Sequence, residues 1–141
     1  MPDFPSRAWC EEALRLLEAD PETVRAGQGW TADIGVVVAA ERGKLDKPFV
    51  VYFKPVEGRI ESWKVLVDPD DLDEFEPAYR IQAPYSVWKG LLLRTVDPVE
   101  AVLRRQVQVD GEIQPLVERI QHKRLAERVL ERIETRFVDE R

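Results

Sequence analysis

The sequence predicts an α+β domain with one five-stranded, mostly antiparallel sheet covered by about five helices. Three observations carry this. Alternating apolar residues mark three consecutive stretches with short turns between them, the pattern of a meander. Helix-starting signals, Ser6, Asp20 with Pro21, and Asp97 with Pro98, stand before and after these stretches. At 141 residues, 44% hydrophobic and 34% charged, the chain suits a single domain over 1–141 with a real core.

The elements follow in order. Ser6 N-caps a first helix whose Trp9, Ala13, Leu14 and Leu17 share one face. Asp20 caps a short second helix that stops near Gly27. In "WTADIGVVVAAE", Trp30, Ala32, Ile34, Val36 and Val38 alternate with Thr31, Asp33 and Gly35, so a strand is expected from Trp30. "ERGKLDKP" is a hairpin loop. In "FVVYFK", Phe49, Val51 and Phe53 take one face and Val50 and Tyr52 the other, which predicts a strand covered on both sides. "GRIESWKVLV" is the third strand, turned by Pro55 and Gly58. An acidic linker leads to a fourth strand at "YRIQ", which Pro84 ends while opening the helix of "YSVWKGLLL". "PVEAVLRR" is a further helix and "QVQVDG" a last strand. From Glu112 the spacing predicts helix to the end, with Ile113, Leu116, Val117 and Ile120 on one stripe. Ala126, Leu130, Ile133 and Phe137 continue it after a break near His122.

Composition excludes whole classes. A net charge of −6 and a pI near 5.0 oppose nonspecific binding to nucleic acid or to anionic membranes, so no nucleic-acid partner is expected. No apolar run approaches the ~18 residues of a membrane span. "MPDFPSRAW" has neither the charged start nor the apolar stretch of a signal peptide, and a cytoplasmic location is expected. Cys10 and His122 are the only residues of their kinds, which rules out an intramolecular disulfide or a cysteine-based zinc cluster; neither cofactor nor metal is expected. The chain has no Asn, and its many charges fit a thermophilic source.

Motifs that could carry chemistry lack their partners. The run Asp68 to Glu76 has Asp73 where a calcium loop needs Gly and Tyr79 where it needs Glu, so a solvated loop is expected. Ser86 and Lys89 satisfy S-x-x-K without its companion motifs, and Ser86 reads as a first-turn residue of a helix. "GQGW" precedes a strand and reads as a turn rather than a phosphate cradle. Nothing brings Cys10 and His122 together. No catalytic residue is assigned, and the chain reads as a non-enzyme. Trp9, Trp30, Trp63 and Trp88 each fit a core or a ligand surface.

Two long stretches, "SRAWCEEALRLLEADPETVRAGQGWTADIGVVVAAE" and "YSVWKGLLLRTVDPVEAVLRRQVQVDGEIQPLVERI", resemble the sterol carrier protein 2 lipid-transfer family, in a stand-alone prokaryotic-type form. Trp30 stands where that family opens its first long strand. Trp88, Gly90, Asp97, Pro98, Val107, Val109 and Gly111 occupy the later positions of its pattern, while Arg104 and Arg105 replace a frequent Gly. The resemblance spans roughly residues 5–125. It implies an apolar tunnel between sheet and helices that takes up a fatty acid, an acyl-CoA or a sterol-like ligand without catalysis. Ile34, Val36, Val51 and Phe53 from the strands, with Trp88, Leu91 and Leu92 from the helix, are the expected lipid-binding lining. At ~0.8 kcal/mol per buried CH₂, a long tail needs no specific hydrogen bond to be held.

Expected partners are therefore one small hydrophobic molecule and transient membrane contact without integral insertion. Two alternatives stand beside this reading. One is an interaction module with a filled cavity, forming a homodimer through the stripe from Ala126 to Phe137. The other is a small hydrolase using Cys10 or Ser86 with His122.

Overall fold

The computed structural model describes residues 1–140, with the backbone alone at 120–123 and 125. The chain opens with β1 (Asp3–Phe4), α1 (Arg7–Ala19) and α2 (Pro21–Ala26). Ser6 and Asp20 cap the two helices, accepting from the backbone N–H of Trp9 and Thr23. The meander β2 (Ile34–Ala39), β3 (Phe49–Val56) and β4 (Arg59–Leu66) follows. A 3₁₀ segment, Pro69–Glu74, leads to β5 (Tyr79–Pro84), α3 (Tyr85–Leu92), α4 (Pro98–Leu103), β6 (Gln108–Asp110), α5 (Ile113–Glu118), α6 (Ile120–Leu130) and β7 (Arg136–Phe137).

The main sheet has five strands in the order β4-β3-β2-β5-β6, antiparallel except where β5 runs parallel to β2. After β4 the chain must cross one face of the sheet to enter beside β2, and the 3₁₀ segment is that crossover. It carries Leu72 to full burial against Val37, Val50 and Tyr52. Gly35 makes room: a Cβ there would stand 2.7 Å from Leu72 Cδ2. The run expected to be a solvated loop is thus anchored by one apolar side chain. Its carboxylates stay local, with Asp71 accepting from the N–H groups of Val67 and Asp68 and Asp73 pairing with Arg80.

The β3–β4 hairpin closes on Glu57 and Gly58, both at positive φ (52° and 85°), the two-residue turn whose twist suits paired strands. A Cβ at Gly58 would also stand 2.1 Å from the Val24 carbonyl oxygen, so glycine is required twice over. Pro55 lies inside β3 rather than at the turn, at the register shift next to Lys54.

Two expectations change. The first long strand begins at Ile34, not Trp30, because residues 30–33 spend their polar groups on a corner. Trp30 N–H donates to Gly27, Trp30 C=O accepts from Glu57, and the Asp33 carboxylate takes Tyr52 OH and Ala78 N–H, each at 2.7 Å. The C-terminal region is not one helix. It breaks at Arg119, whose side chain donates to the carbonyls of Ala26 and Gln28 (3.1 and 2.8 Å), and it leaves helix after Leu130. β7 then pairs in parallel with β1, and Ile133 and Phe137 enter a core with Phe4, Trp9, Val38 and Tyr85. The stripe offered for dimerisation is thereby used by the chain's own core, with Leu130 packed on the same cluster and Ile133 and Phe137 only 7% and 8% exposed.

Candidate functional site

Side chains alternate along a strand, so register sorts the sheet's two faces. On the face away from Leu72, Ile34 pairs with Phe53, and Phe53 with Trp63. The next row runs Val65, Val51, Val36, Ile81 and Val109 across all five strands. A third row joins Phe49, Val38 and Ala83. The four strand residues expected to line a ligand site, Ile34, Val36, Val51 and Phe53, therefore form one contiguous block at the centre of this face.

Their burial separates them from ordinary core. β2 is the central strand, and on its other face Gly35 and Val37 are buried, Val37 to 3% exposure. Ile34, Val36 and Phe53 are only half-buried, as are Ile81, Trp63 and Val65 around them; Val51 is at the edge of burial. Central-strand apolar residues keep solvent contact only where no element of the chain seals them.

The helical layer meets this face at its flanks. α1 contributes Trp9 and Ala13 to a cluster with Val38 and Phe49, and α3 adds Tyr85, Trp88 and Leu92 there. A second cluster joins Ile81 and Ala83 to Val87, Trp88 and Leu91 of α3, Ala101 and Val102 of α4, and Val107. Trp88 and Leu92 thus face one cluster while Val87 and Leu91 lie round the helix in the other, and Trp88 bridges the two. Its Nε1 donates to the Val37 carbonyl at 3.1 Å, which satisfies its one polar group and leaves the ring apolar. Trp88, Leu91 and Leu92 are each half-buried.

Two open surface clefts lie elsewhere. One, of about 250 Å³, is bounded by Glu11, Leu14, Arg15, Glu18, Ile60 and Trp63; the other, of about 420 Å³, lies between the N-terminal residues and Arg132 to Glu134. Neither includes the seven expected lining residues. Only the first touches the block, through Trp63, over whose ring the Arg7 guanidinium stands at 5.5 Å.

The residues weighed for chemistry are occupied otherwise. Ser86 sits in the first turn of α3 and donates to Glu41 Oε1 at 2.8 Å, which holds that carboxyl below its usual range. Lys89 is bound by Asp139 (3.0 and 3.2 Å) and by Glu140 (3.3 Å), so S-x-x-K is not a catalytic pair. Asp139 also accepts from Tyr85 OH at 2.7 Å; that bond first, and Lys89 second, hold its carboxyl below the ordinary value. Burial pushes the Cys10 thiol up to about 12, an inert state for a nucleophile. The His122 side chain lies outside the described residues. "GQGW" is a turn, with Gly27 capping α2. Among the described residues no group of His, Cys, Asp or Glu could hold a metal ion.

The architecture has known counterparts. A crystal structure of sterol carrier protein 2 superposes over 93% of this chain and 99% of its own, with a TM-score of 0.78 and 19% identity. The fold is that of sterol carrier protein 2. A solution structure of a conserved hypothetical protein from Thermus thermophilus matches 89% of this chain and 86% of its own, with a TM-score of 0.75 and 19% identity. A sec-alkyl sulfatase matches at a TM-score of 0.50 and 15% identity, 70% of this chain covering 14% of that one. No family model and no curated protein sequence matches the chain.

Sequence reasoning missed Ile81, Val65 and Val109, which extend the row of Val36 and Val51 across the sheet. The signal was present in their alternation, but assigning a face needed the register.

Proposed function

We propose that this chain is a non-catalytic carrier of single lipid molecules, held by their apolar tails between the central sheet face and α3. The observation that carries the reading is the half-burial of Ile34 and Val36 on the central strand, between Gly35 and Val37, which are sealed. The likeness to sterol carrier protein 2 supports a lipid as occupant. Ile34, Val36, Val51 and Phe53 form the floor, and Trp88, Leu91 and Leu92 the wall. Burial at ~25 cal/mol per Å² makes the tail the main source of affinity.

The test is a titration of the delipidated protein with a fluorescent fatty acid, paired with native mass spectrometry of the purified protein. Saturable one-to-one uptake, weakened about tenfold or more by Val36→Asp, is expected. A protein that copurifies with no lipid and takes up none ends the proposal.

A further inference from the structure

The bulge between β3 and β4 turns two apolar side chains of β4 onto one face of the sheet. Lys54 pairs with Ser62 and Pro55 with Ile60, which leaves Glu61 as the extra residue. Strict alternation would send Ile60 and Trp63, three positions apart, to opposite faces. With the extra residue both stand on the half-buried face, beside Phe53, and both line the cleft of about 250 Å³. The opposite wall is a stripe of α1. Glu11, Leu14 and Glu18 line it, and Arg7, one turn before Glu11, sets its guanidinium over the Trp63 ring at 5.5 Å.

The polar groups of this cleft are largely unspent. Trp9, Trp30 and Trp88 each give their indole N–H to an oxygen of the chain, at 2.9, 2.9 and 3.1 Å. The Trp63 N–H has no acceptor among the described residues, where no buried side-chain nitrogen or oxygen lacks a partner, so it is accessible. Arg7 and Glu11 are neighbours on α1, yet neither makes an ion pair with a described residue. Glu18 spends Oε1 on the Ile60 N–H at 2.9 Å, and Arg15 is taken by Glu12.

This set disfavours a charged ligand of either sign. Glu11 and Glu18 oppose an anion, and Arg7 opposes a cation at the Trp63 ring. A hydroxyl suits both kinds of group, because it donates to a carboxylate and accepts from an N–H. The volume falls below the ~300–1,000 Å³ of sites for drug-sized ligands, so it suits a small head and not a whole lipid. We infer that the cleft between α1 and the β4 bulge binds the polyol head of a neutral lipid, of the monoacylglycerol class. Its hydroxyls donate to Glu11 and Glu18 and accept from Arg7 and the Trp63 N–H, while its tail runs past Phe53 onto Val51 and Val36. This rests on the carrier reading and adds the class of lipid carried.

Displacement of a fluorescent fatty acid near neutral pH by monopalmitoylglycerol, palmitate or palmitoyl-lysophosphatidylcholine tests the inference, since the three share one tail. Monopalmitoylglycerol should bind the native chain about tenfold more tightly than palmitate, the order of one to two neutral hydrogen bonds. Trp63→Phe keeps a ring but loses the N–H, and should cut that ratio about fivefold. Glu11→Gln should cut it about threefold by easing the repulsion of palmitate. Neither the Trp63 N–H nor the Glu11 carboxylate holds another described part of the chain, so both variants should fold. Equal or tighter binding of palmitate, or a preference for the zwitterionic lipid, overturns the inference and leaves the carrier reading standing. A preference for monopalmitoylglycerol that neither variant reduces overturns it too, because the selection then lies outside this cleft. A protein that binds none of the three, nor the fluorescent fatty acid, ends the carrier reading and this inference with it.

Discussion

The two faces of the sheet are made of nearly the same residues and end in different states. On one, Val37, Val50, Tyr52 and Leu72 are all buried, and Tyr52 stacks on Phe75 with centroids 4.3 Å apart. On the other, Ile34, Val36, Phe53 and Ile81 are half-buried although they occupy equally central positions. Valine alternates with valine across the same backbone, so composition does not explain the difference. The cover does. The crossover segment inserts Leu72 over a glycine and closes its face, whereas α1 and α3 bind the other face at its flanks. An apolar surface is sealed or stays half-buried according to what the chain lays on it.

Removing the plug should have the largest effect. Leu72→Ala leaves a cavity on the sealed face and should cost about 3–5 kcal/mol in urea unfolding, with lipid uptake by the remaining folded protein unchanged. A cost under about 1 kcal/mol would mean that this face is not sealed by Leu72. A matched pair sharpens the contrast at smaller cost. Val37→Phe overpacks the sealed face and should destabilise by about 1–3 kcal/mol without touching uptake. Val36→Phe, one residue away on the half-buried face, should cost under about 1 kcal/mol and, on the carrier proposal, block uptake. Equal costs for the two would show that both faces are core.

The same contrast measures what could be read beforehand. Period-2 alternation placed β2, β3 and β4, and caps at Ser6, Asp20 and Asp97 placed the helices, because these signals are local. The block Ile34, Val36, Val51 and Phe53 was legible for the same reason. What alternation could not assign was which face would be closed, since that depends on a crossover bringing Leu72 back over Gly35 from far along the chain. The charges around Leu72 hid it in what looks like a solvated run. The C-terminal stripe failed in the other direction. Leu130, Ile133 and Phe137 have helical spacing, yet they pack on Phe4, Trp9 and Tyr85, and Thr135 accepts from Trp9 Nε1 at 2.9 Å. Tertiary contacts with Phe4 and Trp9 at the other end of the chain override the periodicity.

A pH-dependent effect concerns what holds the helical layer over the open face. Asp139, 17% exposed, ties the C-terminal strap to α3 through Tyr85 and Lys89, the helix that carries Trp88, Leu91 and Leu92. Its carboxyl titrates below the ordinary aspartate value because Tyr85 OH and then Lys89 favour the charged form. A depressed acid stabilises the fold above its unfolded pKa, about 3.9, and that contribution is lost as pH falls through the lower folded value. Asp139→Asn should therefore be less stable than the native chain by roughly 1–2 kcal/mol near neutral pH, where it removes a charged partner from Lys89. The gap should narrow as pH drops below about 4, because the carboxyl then takes up its proton more readily in the unfolded chain, and it closes as pH falls through the lower folded value. Urea midpoints of the two proteins at about pH 7 and about pH 3 measure it. A gap that stays constant over that range would mean that packing of Phe137 against Phe4, rather than the charge, pins the strap. Leu72→Ala removes only apolar contacts with Val37, Val50 and Tyr52, so its deficit should be similar at both pH values.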